Sequence, residues 1–336
     1  MKEQILKELR QAEGYISGEH LSELCGVSRT AIWKQIKTLQ QEGYQIESQH
    51  GAGYRLVGMA DVLNARELSS YLQGTCFWPA EKMHCYAEVD STNTVARQWA
   101  QKAANRETRH GLAVTAESQT AGKGRLGRPW NSLPGAGIWC SVVLAPPIAL
   151  TEASRFSFIA AVAIAYGIKQ YTNLEVQIKW PNDLLIQGQK ICGILVEMAA
   201  EAEQVDYFIL GFGLNVNQRQ DDFPEELQKK ATSLYAQSGT KIDRMALLSQ
   251  ILRSIEKHLD LYQKEGFAPI RQKWLDSACF LGEKVVIRQQ ERIIEEGILR
   301  GIDDDGALLL EQSNGQLIRI LAGDVSLRQA DGSYYK

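Results

Sequence analysis

The chain has 336 residues, 44% hydrophobic and 23% charged, an ordinary globular composition with room for two or three domains of roughly 100 to 200 residues, which excludes wholly disordered, collagenous and coiled-coil architectures. Its 37 basic and 40 acidic side chains leave a formal net charge of -3, so there is no global attraction to nucleic acid or anionic membrane, and any nucleic-acid contact must come from local segregation of charge. The six cysteines (Cys25, Cys76, Cys85, Cys140, Cys192, Cys279) form no Cys-x-x-Cys pair and the five histidines are scattered, which points to unpaired thiols in a reducing cytosol. The opening MKEQILKELR is charged throughout, and the longest apolar run, Phe158 to Ile168, is well short of the ~20 residues a bilayer span needs. A cytoplasmic protein with no membrane partner is expected.

In residues 1–60, Ile5, Leu6 and Leu9 mark a first helix, and Ser17 is placed to cap a second carrying Leu21 and Leu24. Gly26 interrupts the pattern, and Ser28 caps a third helix, SRTAIWKQIKTLQQ, so two short helices flank a glycine turn in the helix-turn-helix manner. Ile32, Ile36 and Leu39 fall on one stripe. Thr30, Trp33, Lys34 and Lys37 face away from it, and from Ser28 to Gln41 the charged residues are Arg29, Lys34 and Lys37, with no acid among them. YQIESQHGAGYRL then alternates around Gly51-Ala52-Gly53, as a hairpin wing would. The alternative is a plain three-helix bundle with a solvated basic face. The glycine turn, the exposed tryptophan and the hairpin together favour a winged helix-turn-helix with Arg29, Thr30, Trp33, Lys34 and Lys37 toward DNA. Seven basic residues against seven acidic ones in this zone predict modest non-specific affinity.

The middle zone, bounded near residues 57–66 and 268–282, mixes helical stretches (Asn93 to Ala104, Glu152 to Thr172, Arg244 to Tyr262) with strand-like runs (Leu112 to Thr115, Ile138 to Leu144, Ile191 to Met198, Tyr207 to Leu210), an α/β or α+β pattern. At its start, Asp90-Ser91-Thr92-Asn93 lies where a strand meets a helix, so that Ser91 or Thr92 reads first as an N-cap and second as a hydroxyl offered to a ligand. In AESQTAGKGRLGRPWNS, residues 116–132, Gly122, Gly124 and Gly127 spell G-x-G-x-x-G. Arg128-Pro129-Trp130 opposes the helix that a dinucleotide fold requires, and no Lys-Ser or Lys-Thr completes a phosphate loop. What remains is a flexible loop whose glycines bring backbone amides near an anion while Lys123, Arg125 and Arg128 offset its charge, or else a solvated basic turn. In IKWPNDLLIQGQKICGILVEM, residues 178–198, Pro181 ends one strand and Gln187-Gly188 separates two more. Lys179 and Lys190 suit a polyphosphate or a carboxylate and Asn182 with Asp183 suit Mg2+, with a surface ion pair as the alternative. GFGLNVN, residues 211–217, follows the strand DYFIL and reads as a tight turn or a close backbone approach. The last zone, KVVIRQQ, IIEEGILRGI, ALLLEQ and LIRILAGDV, is a series of short strands that suggests a small barrel.

Taken in order, DSTN, QTAGKGRLGR, KWPNDLL, GQKICGILVE and GFGLNVN behind a helix-turn-helix resemble the bifunctional biotin-protein ligase and biotin operon repressor family, over essentially the whole chain. The resemblance implies an α+β multidomain protein: a winged helix-turn-helix over 1–60, a class II synthetase-like ligase domain with a central mixed sheet over 66–270, and an SH3-like barrel over 271–336. It implies ATP-dependent formation of biotinyl-5'-AMP, transfer of biotin to a lysine of a carboxylase carrier domain, and repression at operator DNA by a homodimer carrying the adenylate. The alternatives are a ligand-sensing repressor without ligase activity and a lipoate or octanoate ligase. By the same resemblance Ser91, Thr92, Asn93 and Gln119 contact biotin. Lys123, Gly124 and Arg125 wrap ligand and phosphate, and Lys190 holds the carboxylate and then the α-phosphate. Lys179, Asn182 and Asp183 serve the nucleotide and its Mg2+, Asn215 belongs to the same binding set, and the loop after Asn217, including DDFPEELQKK, closes over adenine. Lys123 stands where the commoner G-R-G-R-x-G-R has its first arginine, which withdraws bidentate recognition there but leaves the backbone contacts. No protein nucleophile is required.

Overall fold

The computed structural model describes residues 1–329 apart from 42, 60, 76, 202–203, 290–291 and 322–324. Cys76, Ala60 of the first boundary, and Gln290 and residues 322–324 of the last zone therefore lie outside the described residues. The other five cysteines are free thiols. The chain divides into two compact units, residues 1–64 and 65–336.

The first unit contains α1 (Lys2–Gln11), α2 (Gly18–Cys25), α3 (Arg29–Gln41) and the hairpin β1 (Tyr44–Gln49) and β2 (Gly53–Met59). Ser17 caps α2 by accepting from His20 N at 3.1 Å, and Ser28 accepts from Ala31 N at 3.2 Å. Gly26 closes α2 with φ 64°, a left-handed conformation that costs glycine nothing. Ile32, Ile36 and Leu39 are fully buried against Ile5, Leu9 and Leu21. Ile16 and Tyr54 exchange two backbone bonds of 2.8 Å, tying the segment before α2 to the wing. That approach requires Gly53 (φ 113°), whose Cβ would lie 1.9 Å from Ile16 O.

In the second unit α4 (Ala65–Tyr71) precedes β3 (Met83–Val89), α5 (Thr92–Lys102), α6 (Arg106–Arg109), β4 (Leu112–Gln119), β5 (Gly137–Leu144) and α7 (Phe156–Thr172). Then come β6 (Gln177–Lys179), β7 (Asp183–Ile186), β8 (Gln189–Glu201), β9 (Gln204–Asn215), α8 (Leu234–Ser238), α9 (Arg244–Glu265) and α10 (Ala268–Ser277). The strands form one sheet in the order β3-β4-β5-β9-β8-β7-β6, parallel only between β3 and β4. Alternation along β9 sets the layers. Phe208 points to one face, where it stacks on Phe156 of α7 at 3.9 Å. Ile209 points to the other, where it packs with Ala96 and Ala100 of α5.

Two expectations change here. GFGLN is not a turn: β9 runs unbroken through Gly211 and Gly213 to Asn215, because tertiary contacts described below, not a bend, require those glycines. The boundary drawn between 270 and 271 falls inside α10, whose Trp274 is buried with its ring 5.8 Å from that of Phe158 on α7. The helical layer therefore extends to Ser277. Beyond it, β10 (Lys284–Gln289), β11 (Arg292–Ile302), β12 (Leu308–Glu311), β13 (Leu317–Ile320) and β14 (Val325–Gln329) form an antiparallel sheet in the order β13-β12-β11-β10-β14. No helix among the described residues is long and apolar enough to cross a membrane.

Candidate functional site

The face of the sheet that carries α5 holds a cavity of about 740 Å3, within the range of small-molecule sites. All twelve residues singled out in this unit line it: Ser91, Thr92 and Asn93 at the start of α5; Gln119 at the end of β4; Lys123, Gly124 and Arg125; Lys179, Asn182 and Asp183; Lys190 on β8; and Asn215 at the end of β9. Residues 90 to more than 210 meet because β3, β4, β8 and β9 deliver their ends to one place.

One part of this lining is neutral: Ser91, Thr92 and Asn93 are buried and Gln119 half-buried, and hydrogen bonds connect Thr92, Asn93 and Gln119. Ser91 occupies the N-cap position of α5, yet its side chain caps no N–H, so the capping role expected first for this hydroxyl does not hold and the residue lines the cavity instead. Gln119 Oε1 accepts from Thr92 N at 2.8 Å and lies 3.2 Å from Thr92 Oγ1, while its Nε2 donates to Ser132 at 2.9 Å. Ser141, fully buried, reaches Thr92 Oγ1 at 2.7 Å and Asn93 Oδ1 at 2.6 Å. Asn93 Nδ2 donates to Glu197 at 2.7 Å. The glycines of β9 make room for this packing: a Cβ on Gly211 would lie 2.0 Å from Asn93 Oδ1, and one on Gly213 would lie 2.4 Å from the ring of Trp130. Gly213 pairs with Gly193 of β8, so Trp130 lies over two side-chain-free positions, its ring 6.3 Å from that of Trp139 and edge-on to it.

The other part is cationic. Lys179 is 2% exposed, and burial pushes its ammonium down to about 7, Arg328 and Lys190 adding to the effect and Asp183 opposing it. Lys190 Nζ lies 2.6 Å from Asp183 Oδ1 and 5.2 Å from the centroid of Trp130. Asp183 faces Lys179 across the β6–β7 pair. Arg125 Nη1 donates to Asn182 Oδ1 at 3.4 Å, and Asn182 Nδ2 donates to Ile194 O at 2.8 Å. Residues 122–130 are closed on themselves, Gly124 N bonding Arg128 O at 2.7 Å and Trp130 N bonding Gly122 O at 2.9 Å. Lys123 is exposed at the edge of the cavity. The segment after Asn217 reaches the cavity through Asp222, Phe223, Leu227 and Lys230. It also grips the main chain of Lys190, whose N–H bonds Lys230 O and whose carbonyl accepts from Thr232 N, each at 2.9 Å.

The lining residues that the sequence analysis does not assign to the site include Trp130, which reads there only as a helix breaker, and Arg288, Leu327 and Arg328 of the last sheet. A tryptophan inside a glycine-rich basic loop was the available signal for the first. Nothing local marks the other three, since strand alternation gives no reason to prefer them. In the first unit Arg29, Thr30, Trp33, Lys34 and Lys37 are all exposed on α3, Trp33 by 50%, with Lys37 Nζ 6.0 Å from its ring.

The chain matches three family models: an HTH domain over residues 2–55, the biotin/lipoate A/B protein ligase family over 86–215 and the biotin protein ligase C terminal domain over 280–328. It is 40% identical to the bifunctional ligase/repressor BirA of Bacillus spizizenii over 93% of this chain and 94% of that one, and 33% identical to its Escherichia coli namesake over 94% of each. Among solved structures it is similar to the biotin protein ligase from Aquifex aeolicus in complex with biotin and ATP, with a TM-score of 0.63 and 31% identity over 74% of this chain and 99% of that one.

Proposed function

Because this chain belongs to the family of bifunctional biotin-protein ligases and repressors, an ATP-dependent biotin ligase joined to a DNA-binding repressor, we propose that the two parts of its cavity divide the reaction between them. The neutral part, with Ser91, Thr92, Asn93 and Gln119, holds the biotin ring system. The cationic part receives the biotin carboxylate and the triphosphate. The observation that supports this most is the presence of both parts in one cavity of about 740 Å3, with Lys190 and Trp130 at the junction.

In the first step a biotin carboxylate oxygen bonds to the α-phosphorus of ATP and pyrophosphate leaves. Both reactants are anionic, so Lys190, Lys179 and Arg125 act by offsetting repulsion and the charge that develops on the phosphate. Lys190 and Lys179 already share Asp183, and ligand oxygens would compete for them. The backbone of Lys123 and Gly124 closes on the phosphate, and Asn215 and the 218–232 segment lie against the nucleotide. The described residues hold no group of three metal-ligating side chains. Asp183 with Asn182 therefore fits Mg2+ only as an ion shared with the phosphates, as that metal commonly is; when bound it would neutralise triphosphate charge. In the second step the neutral amine of a carrier-domain lysine attacks the acyl carbon, AMP leaves and the amine loses one proton, so no protein nucleophile is consumed.

The reader spans 1–60, the ligase body 66–270 extended by the rest of α10, and the strand domain follows to 336. Operator DNA meets Arg29, Thr30, Trp33, Lys34 and Lys37, the protein works in the cytoplasm, and the adenylate favours a homodimer at an edge of the central sheet. Biotin-dependent ATP/pyrophosphate exchange tests the chemistry. Exchange supported by lipoate or octanoate but not by biotin, or by none of them, would overturn it.

A further inference from the structure

The neutral part of the cavity is completed from outside by a residue that does not line it. Asn93 is 8% exposed and its amide has two unlike ends. Nothing in the covalent structure of asparagine decides which end faces which neighbour; the neighbours do. Glu197, on β8, is an ionised acceptor and can take only the N–H end, which lies 2.7 Å from it. The carbonyl end is thereby turned to Ser141, whose hydroxyl lies at 2.6 Å. Ser141 touches Thr92 in turn, and Thr92 touches Gln119. The other carboxylate oxygen of Glu197 is held by Arg97 Nη2 at 2.8 Å, one turn further along α5.

We propose that Glu197 is a positioning residue for biotin: it fixes which end of the Asn93 amide, and through Ser141 which hydroxyl orientations, the pocket offers to the ligand. A polar ring system is recognised by the pattern of donors and acceptors opposite it. An inverted amide presents a carbonyl where an N–H is needed, and a buried mismatch of that kind costs more than a missing contact. Three features support the fixed orientation. The charge-assisted bond to Glu197 is the short kind. Gly211 allows the amide to lie against β9 where any side chain would collide with Oδ1. Arg97 keeps the carboxylate from rotating away.

The inference rests on the assignment of Asn93 to biotin, so the test separates the two. In the full-length protein, biotin Kd is measured by calorimetry, and the KM for biotin and for ATP by pyrophosphate exchange, for Glu197→Leu, Glu197→Gln, Asn93→Ala and Asn93→Ala/Glu197→Leu. Glu197→Leu should raise biotin Kd and KM about tenfold while leaving kcat and the KM for ATP within about twofold. Glu197→Gln keeps an oxygen that accepts from Asn93 and should recover most of that loss. In the double variant the leucine should add nothing to Asn93→Ala. An unchanged biotin Kd in Asn93→Ala overturns the site assignment. A normal response to Asn93→Ala with an unchanged Kd in Glu197→Leu, or with losses that multiply in the double variant, overturns the role of Glu197 alone.

Discussion

The two parts of the cavity are built on opposite principles. Around Thr92, Asn93 and Gln119 the polar groups meet one another at hydrogen-bond distance before any ligand arrives, and the glycines of β9 are there to let them pack. Around Lys179 and Lys190 two cations share one carboxylate under burial deep enough to bring Lys179 down to about 7. The first part is finished and selects by shape and donor pattern. The second is held in internal compensation that an incoming anion can take over. A ligase needs this asymmetry, since the biotin ring system stays the same through the reaction while the carboxylate and phosphates change charge and partners.

The largest expected effect tests the cationic part. Lys190→Ala should lower biotin-dependent pyrophosphate exchange by about 10² to 10³, the usual cost of removing a charge-stabilising donor, with biotin Kd changed far less. An equal loss in both measurements would erase the division. Gly211→Ala strikes the neutral part: with its Cβ 2.0 Å from Asn93 Oδ1, it should raise the KM for biotin by about tenfold or more and cost roughly 1–3 kcal/mol in stability, while the KM for ATP stays near wild type.

Titration should separate the parts as well. Lys179 binds phosphate as an ammonium, and in the free protein it loses its proton around pH 7. Anion binding raises its pKa, so nucleotide binding takes up a proton. The kcat/KM for ATP should therefore fall as pH rises above about 7, by at most tenfold per unit from this group, with biotin Kd, which rests mainly on the neutral part, changing less over the same range. Stability runs the other way: the folded pKa lies below the unfolded one, so the unfolded chain binds more protons between about pH 7 and 10.5 and stability rises with pH across that window. Lys179→Met should abolish both trends, checked by calorimetry and thermal melts. The smallest effect is screening. Raising salt from roughly 0.05 to 0.5 M should weaken ATP a few-fold and biotin, with its single carboxylate, less.

Much of this was legible in the sequence, and the exceptions have a common cause. The helix caps at Ser17 and Ser28, the Gly26 turn, the stripe of Ile32, Ile36 and Leu39, and the strands on either side of Gln187-Gly188 all follow from local stereochemistry, and they stand where local rules place them. Gly211 and Gly213 leave two readings open because glycine permits a turn and also permits contact, and only the partner, Asn93 or Trp130, decides for contact. Ser91 poses the same choice, and there the N-cap reading comes first. Its N-cap position is a backbone fact, but the use of its hydroxyl depends on residues far away in sequence. Glu197 carries no mark in one dimension, being one more acid in an alternating strand. Arg288 and Arg328 likewise reach the cavity only because the last sheet is placed beside it.

The grip of the 218–232 segment on Lys190 has a consequence for variation. The link runs through Lys190 N to Lys230 O and Thr232 N to Lys190 O, main chain to main chain, so it does not depend on the charge of the side chain at position 230. Three exposed residues of this tip that do not line the cavity, Glu225, Glu226 and Lys229, can therefore drift in composition without loosening that link. The length of the tip cannot. Removing a single residue between 220 and 229 would put the wrong carbonyl opposite Lys190, which leaves those three positions open to substitution and closed to deletion.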